Sequence, residues 1–341
     1  IAIIWYGAKL IDGSNLSIGE MMAFMQYAMQ VIMSFLMFSI IFIMIPRASV
    51  SAQRIAEVLK SESSIKEPEN PILEYRKTTE KIKFENVVFS YPGADKPALI
   101  NISFSVDAGK TTAIVGGTGS GKSTLINLIP RFYDVSQGRI LIDNVDIKNI
   151  RLSDLHNKLG YVPQKGVLFS GTIESNIKYG DPRASRDRVE KAAKIAQASE
   201  FIEKLQDRYG NIIAQGGHNV SGGQKQRLSI ARAIIKNPEI YIFDDSFSAL
   251  DFKTDSLLRR ALKEETEDKT VLIVAQRIST IIKADKIIVL DEGKIVGIGK
   301  HGELMQNCQV YREIASTQLS EKELLGSIEN GAERLITSEV L

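Results

Sequence analysis

The sequence predicts an α/β fold: a largely parallel sheet with helices on its faces, flanked by a mixed β subdomain and preceded by one long apolar helix. Three observations carry this reading. A glycine-rich loop, GGTGSGKST at residues 116–124, lies between a strand pattern (residues 112–115) and a helical run (residues 125–129). Short apolar strands alternate with helical patterns from residue 139 to residue 290, as in a parallel sheet covered by helices. Residues 21–45 carry no charge. At 341 residues the chain has the length of about two domains. Its charged fraction is 25% and its net charge +2, so no basic excess of nucleic-acid-binding size is present and no nucleic-acid partner is expected. The one cysteine, Cys308, excludes an internal disulfide or a cysteine zinc cluster, fits a reducing compartment and reads as a small packing residue.

The chain opens on Ile1 inside an apolar run, and no signal-peptide pattern with a basic start is present. It is therefore expected to be the C-terminal part of a longer polypeptide. Lys9, Asp12, Gly13, Ser14 and Asn15 form a polar turn, and Glu20 is the one charge between residues 18 and 45. A helix needs about 20 apolar residues to cross a bilayer, so a span over about residues 20–45 is expected. Arg47, Arg54 and Lys60 follow it, while Asp12 and Glu20 precede it. Positive charge stays cytoplasmic, which puts the following domain on that side. Gln26, Gln30 and Ser34 share one helix face, beside a stripe of Met25, Met29, Met33 and Met37. Such a face lines a path for apolar or amphipathic compounds, or packs against neighbouring helices; both readings stand. Pro46 is expected to bend or end the span. Residues 48–60 continue as a soluble helix, and residues 61–79, with Pro68, Pro71 and many charges, read as a linker.

Residues 81–89 and 99–106 alternate like strands, and Asp107-Ala108-Gly109-Lys110 turns into the strand before the glycine loop. Such early antiparallel strands predict a mixed β subdomain. Residues 139–142, 160–162, 240–243, 271–274 and 286–290 supply further strands.

The loop itself fits G-x-x-x-x-G-K-[ST] on Gly116, Gly121, Lys122 and Ser123. Across Gly116, Gly117, Thr118, Gly119, Ser120, Gly121, Lys122, Ser123 and Thr124, glycines let backbone N–H groups wrap a phosphate. The helix that starts near Lys122 adds its positive end. Lys122 reaches the β- and γ-phosphates, and the Ser123 hydroxyl holds Mg²⁺. Residues 239–244 form an apolar strand ending in Asp244, which in such a site holds Mg²⁺ or its waters. Residues 219–227 read NVSGGQKQR, where Ser221, Gly222 and Gly223 make a second N–H-rich helix start suited to a phosphate.

With these residues the chain resembles the ATP-binding cassette (ABC) family, whose signature is LSGGQ; here Val220 stands in place of the first Leu, before Ser221, Gly222, Gly223 and Gln224. The resemblance covers about residues 81–314. It implies ATP and Mg²⁺ as cofactors, and a P-loop NTPase cassette with a mixed β subdomain, a parallel-sheet core and a helical subdomain. It implies that Tyr91 stacks on adenine, that Gln164 touches Mg²⁺ and senses the membrane domain, and that Ser248-Ala249-Leu250-Asp251 crosses to a partner cassette. Residues 1–46 are similar to the end of an exporter's membrane domain, with the span as its sixth and last helix. The implied division is 1–46 membrane domain, 47–80 cytoplasmic helix and linker, 81–315 cassette and 316–341 tail. The tail is partly helical in pattern and carries no readable motif. The resemblance further implies a multi-pass protein of the cell membrane, a second half-transporter and an amphipathic cargo.

Two positions depart from the family. The residue after the magnesium Asp is Asp245, where the family has a Glu that polarises the attacking water. A carboxylate one methylene shorter falls back by roughly 1 Å, which costs on the order of a hundredfold in rate. In the switch loop Gln276 replaces a His that reaches the γ-phosphate; Gln donates a hydrogen bond but carries no imidazolium charge. Asp245, Gln276 and Gln164 are thus the candidate catalytic set of a site that binds ATP and hydrolyses it slowly. In the family, cassettes pair head to tail, so a heterodimer is expected whose partner carries Glu and His and uses this chain's intact signature. Gln215-Gly216-Gly217-His218 also departs from the acidic and basic pair common before the signature. Two other expectations stay open: a regulatory cassette clamped by ATP with little turnover, and a homodimeric exporter. A soluble ABC ATPase is disfavoured by the fused span.

Overall fold

The computed structural model describes residues 1–72 and 78–318. The chain divides into two units, Ile1–Ser64 and Ile65–Leu341.

The first unit is a helical hairpin of Ala2–Asp12 and Ile18–Leu59. Gly7 permits the close approach of the two helices, since a Cβ there would lie 2.9 Å from Met21 Sδ. Ser17 starts the long helix: its hydroxyl accepts from Glu20 N–H at 3.3 Å, and its own N–H donates to the Glu20 carboxylate at 2.8 Å. The helix has 42 residues, about 63 Å at 1.5 Å per residue, so a hydrocarbon layer of about 30 Å takes up only part of it. It is long and apolar enough to cross a membrane. The helix does not end at Pro46, one of the two outcomes the sequence led us to expect there. A proline removes one backbone bond, and the helix continues past that loss.

Among its described residues the second unit holds twelve strands: β1 (Glu80–Phe89), β2 (Leu99–Asp107), β3 (Thr111–Gly116), β4 (Gln137–Ile142), β5 (Val145–Asp146), β6 (Leu159–Val162), β7 (Gly171–Thr172), β8 (Ile212–Ile213), β9 (Ile240–Asp244), β10 (Thr270–Val274), β11 (Lys286–Asp291) and β12 (Lys294–Gly299). One sheet has the order β2-β1-β4-β5 and is antiparallel throughout. The larger sheet has the order β12-β11-β3-β10-β9-β6, parallel apart from β12. The continuous apolar runs of β3, β9 and β10 are what a parallel strand covered on both faces requires; all five residues of β9 are buried. β12 escaped the sequence reading because KIVGIG is short and interrupted by glycine. It returns on β11 through Glu292 and Gly293, both at positive φ (43° and 74°), the geometry of a tight hairpin turn. Between β6 and β9 the chain builds a helical region that includes Ile173–Lys178, Arg186–Ile195 and Gly222–Lys236. Its own core includes Ile177, Val189, Leu228 and Ile234.

Residues 65–72, read as linker, are held on this unit. Arg131 donates to the Lys66 carbonyl at 3.1 Å, Leu152 N–H donates to the Glu67 carboxylate at 3.1 Å, and Ile72 N–H donates to the Asn149 carbonyl at 2.9 Å. Residues 73–77 of the linker and 319–341 of the expected tail lie outside the described residues.

A buried ion cluster joins the two sheets. Lys81 on β1 pairs with Asp143 at 2.7 Å and with Glu239, the residue before β9. Lys158 pairs with the other Asp143 oxygen at 2.7 Å. Burial lowers the Lys81 pKa, but the bonds to Asp143 and Glu239 outweigh it and hold the ammonium above its ordinary range. The stabilisation is therefore complete below the ordinary lysine pKa and is lost as pH rises through the raised one. Lys81→Met leaves two acids under-compensated and is expected to cost about 3 kcal/mol. Urea unfolding at pH 7 checks this, and the gap to the unmodified chain should shrink in strongly alkaline buffer.

Candidate nucleotide-binding site

The site forms where β3 ends beside β10 and β11. Gly116 closes β3 against β11 so tightly that a Cβ would sit 2.1 Å from the Leu290 carbonyl oxygen. Gly121, at φ 98°, begins the helix Lys122–Leu128, where a Cβ would meet Leu99 at 2.8 Å. Gly117 and Gly119 open instead onto free space. Two glycines are thus fixed by packing, and two leave the loop's rim bare for a ligand. Lys122 curls back over this rim: its Nζ donates to the Gly116 carbonyl at 2.9 Å, the Gly117 carbonyl at 2.6 Å and Ser120 Oγ at 3.3 Å. Burial lowers its pKa, and the charges of Asp245 and Asp244 partly offset that.

Ser123, one residue on, donates from Oγ to Asp244 Oδ1 at 3.2 Å. Asp244 closes β9 and is 5% exposed. Burial pushes its carboxyl above the usual range; the Ser123 bond and Lys122 pull the other way, while Asp245 adds to the rise. A buried acid held up this way, next to a hydroxyl and a lysine, is a site short of positive charge. Hard oxygen donors from Ser123, Asp244 and the Gln164 side chain fit Mg²⁺, which prefers a few protein oxygens together with phosphate and water. The bare glycine rim and Lys122 fit the phosphates.

Asp245 is 8% exposed and adopts φ 43°, a left-handed conformation that Asp tolerates better than most residues. Its N–H donates to the Val274 carbonyl at 2.9 Å, tying it to β10. Gln164, just after β6, reaches Asp245 Oδ2 with its amide at 3.5 Å, the outer limit of a hydrogen bond. Gln276 follows β10, whose Val274 lies beside both Ile114 and Asp244. Its side chain is exposed. Tyr91 bonds through its hydroxyl to Thr124 Oγ1 at 3.0 Å, and its ring stands edge-on to Phe89 and Tyr133. The ring is partly buried.

The structure thus joins Lys122, Ser123, Asp244, Asp245 and Gln164 in one cluster, with Tyr91 linked to it through Thr124. Ser221, Gly222, Gly223 and Gln224 lie apart, at the start of the helix Gly222–Lys236. Ser221 and Gln224 cap that helix reciprocally, at 3.2 and 2.8 Å. Gly223 sits close to the Ala249 carbonyl, so the signature leans on its own chain's 248–251 loop. Gly222 faces open space. Sequence reasoning missed a water-sized cavity beside Asp245, lined by Ser248, Asp255, Arg277 and Thr280 among others. Those residues come from three separate segments, and apart from Ser248 none shows a pattern in the sequence.

The raised pKa of Asp244 yields a signed expectation. The folded state binds that proton more tightly than the unfolded chain, so ionising Asp244 costs stability as pH rises above the ordinary Asp value. Asp244→Asn should therefore raise the melting temperature of the nucleotide-free protein at pH 7 while abolishing Mg²⁺-dependent nucleotide binding. The stability gain should fade at a pH low enough to protonate Asp244. Thermal scans with and without Mg²⁺-ATP across pH read both effects.

Residues 99–248 match the family model described as ABC transporter. An uncharacterized ABC transporter ATP-binding protein of Mycobacterium tuberculosis is 44% identical over 93% of the chain and 55% of that relative. An ATP-dependent lipid A-core flippase of Haemophilus influenzae is 46% identical over 70% of the chain and 41% of its own length. A solved bacterial Atm1-family ABC exporter with ATP bound superposes with a TM-score of 0.77 and 36% identity, covering 90% of this chain and 54% of that one. The chain spans about half the length of these relatives. With its α/β cassette and its apolar N-terminal helix, the chain carries the ATP-binding domain of the ABC transporters and is homologous to ABC exporter half-transporters.

Proposed function

We propose that this chain is the nucleotide-binding end of an ABC exporter half-transporter, in which it holds ATP tightly and hydrolyses it slowly. A single observation carries this: the binding parts are complete around Lys122, Ser123 and Asp244, while the water-activating position holds the shorter Asp245, within 3.5 Å of Gln164. In this reading the loop N–H groups and Lys122 take the phosphates, Tyr91 supports the adenine, and Ser123, Asp244 and Gln164 hold Mg²⁺. The ion, when bound, neutralises phosphate charge. Asp245 orients a water from about 1 Å too far back, a displacement worth on the order of a hundredfold. Gln276 donates a neutral hydrogen bond where a cation would stabilise developing charge better.

No hydrogen bond among the described residues joins residues 221–224 to the loop of the same chain, which supports a signature that serves another cassette. Ser221 to Gln224 instead complete the nucleotide site of a second cassette. The economical assembly is a heterodimer whose other chain carries Glu and His at the weakened positions. The long helix Ile18–Leu59 supports a reading in which the chain belongs to a multi-pass protein of the cell membrane, with the cassette on the cytoplasmic, positively flanked side. The Met and Gln faces of that helix suit an amphipathic cargo, and the flippase relative extends the class to lipids.

The test uses the full-length transporter purified with its partner from native membranes. Ser221→Ala in this chain should slow ATP hydrolysis at least tenfold, although its own loop site contributes little turnover. Asp245→Glu combined with Gln276→His should raise hydrolysis. Unchanged activity in Ser221→Ala would remove the head-to-tail assignment. A chain that purifies as a homodimer with fast turnover would remove the slow-site reading.

A further inference from the structure

Beyond the cluster around Asp245, one side chain far along the sequence grips the loop that carries Gln276. The helix Gln309–Ser316 buries Tyr311 and Ala315, both 0% exposed, in a core shared with Ala275, Ile278 and Ile281. Gln318 follows that helix, and its own N–H is fixed to the Ala315 carbonyl at 3.0 Å. From there its amide makes two bonds at once. Nε2 donates to the Gln276 carbonyl at 2.8 Å, and Oε1 accepts from the Ile278 N–H at 2.9 Å. Those are two backbone groups flanking Arg277, bridged as an amide bridges two edges of a strand. One orientation of the Gln318 amide satisfies both, so the pair defines it. The grip is on backbone, which leaves the Gln276 side chain exposed and free to reach a ligand.

We propose that Gln318 is a positioning residue for the nucleotide site, setting the backbone from which Gln276 reaches the γ-phosphate. This rests on the slow-site reading only for which kinetic step reports it. The clasp links the C-terminal helix to the loop after β10, and neither bond involves the P-loop itself. Losing it should loosen the γ-phosphate end and leave the adenine and α/β-phosphate contacts alone. The bond to the Gln276 carbonyl, lost in both Gln318→Ala and Gln318→Glu, is one hydrogen bond of ordinary strength and corresponds to about a three- to tenfold effect.

The test compares Gln318→Ala and Gln318→Glu in the assembled, membrane-derived transporter. Glu keeps the acceptor for Ile278 but has no donor for the Gln276 carbonyl. Hydrogen–deuterium exchange at the Ile278 amide should quicken about tenfold in Gln318→Ala and stay near the unmodified rate in Gln318→Glu. Release of pre-bound ATP from this chain should quicken three- to tenfold in both, with the association rate within twofold. Should the unmodified site turn ATP over quickly, the slow-site reading fails on its own, and the clasp is then read as a fall in kcat at constant KM. Unchanged exchange at Ile278 in Gln318→Ala overturns the clasp. Faster exchange with unaltered ATP release and unaltered kcat overturns the positioning role, as does a change in KM alone.

Discussion

The cassette is organised around the burial of Asp244, bonded by Ser123 and within the electrostatic reach of Lys122. An acid with 5% exposure is unfavourable alone, and three strands are placed so that it is tolerated. β9 delivers Asp244 at its end, β3 delivers the loop whose following Ser123 bonds it, and β10 holds the neighbouring Asp245 through the Val274 carbonyl. The parallel pairing of β3, β10 and β9 makes these strand ends coincide. Ligands of open parallel sheets sit beyond the carboxyl ends of the strands for this reason. The same constraint explains Gly116: β11 packs so close to the end of β3 that no side chain fits there.

Much of this was legible in the sequence, because the chemistry is local. Residues 116–124 sit on consecutive positions, and Asp244 ends an apolar run. The parallel strands were visible because burial on both faces leaves continuous apolar stretches. What was hidden depends on long-range pairing. β12 carries too few large side chains to announce a strand. Lys81, Asp143 and Glu239 look like ordinary surface charges until the two sheets meet. The Gln318 clasp joins positions 40 and 42 residues apart, with no pattern to mark it. For a different reason Pro46 does not end the helix: its local cost is carried by the long helix on either side of it.

In the proposed reading the site and the signature divide their duties between chains. The loop site there carries binding groups in full and a weakened hydrolytic pair. The signature keeps its capped helix start, its bare Gly222 and its contact with the 248–251 loop. A cassette of this kind contributes most by staying occupied, because bound ATP holds two cassettes together while the opposite site turns over. Gln318 fits that economy, since a loop held by backbone bonds favours retention over rapid cycling.

The central claim is that this chain keeps its ATP intact while its partner site hydrolyses. Photoaffinity labelling of the working transporter, comparing ATP labelled at the α- and γ-phosphates, tests it directly. The account predicts that this chain retains the γ-label as long as the α-label over many turnover times. Loss of the γ-label from this chain at the turnover rate would contradict it.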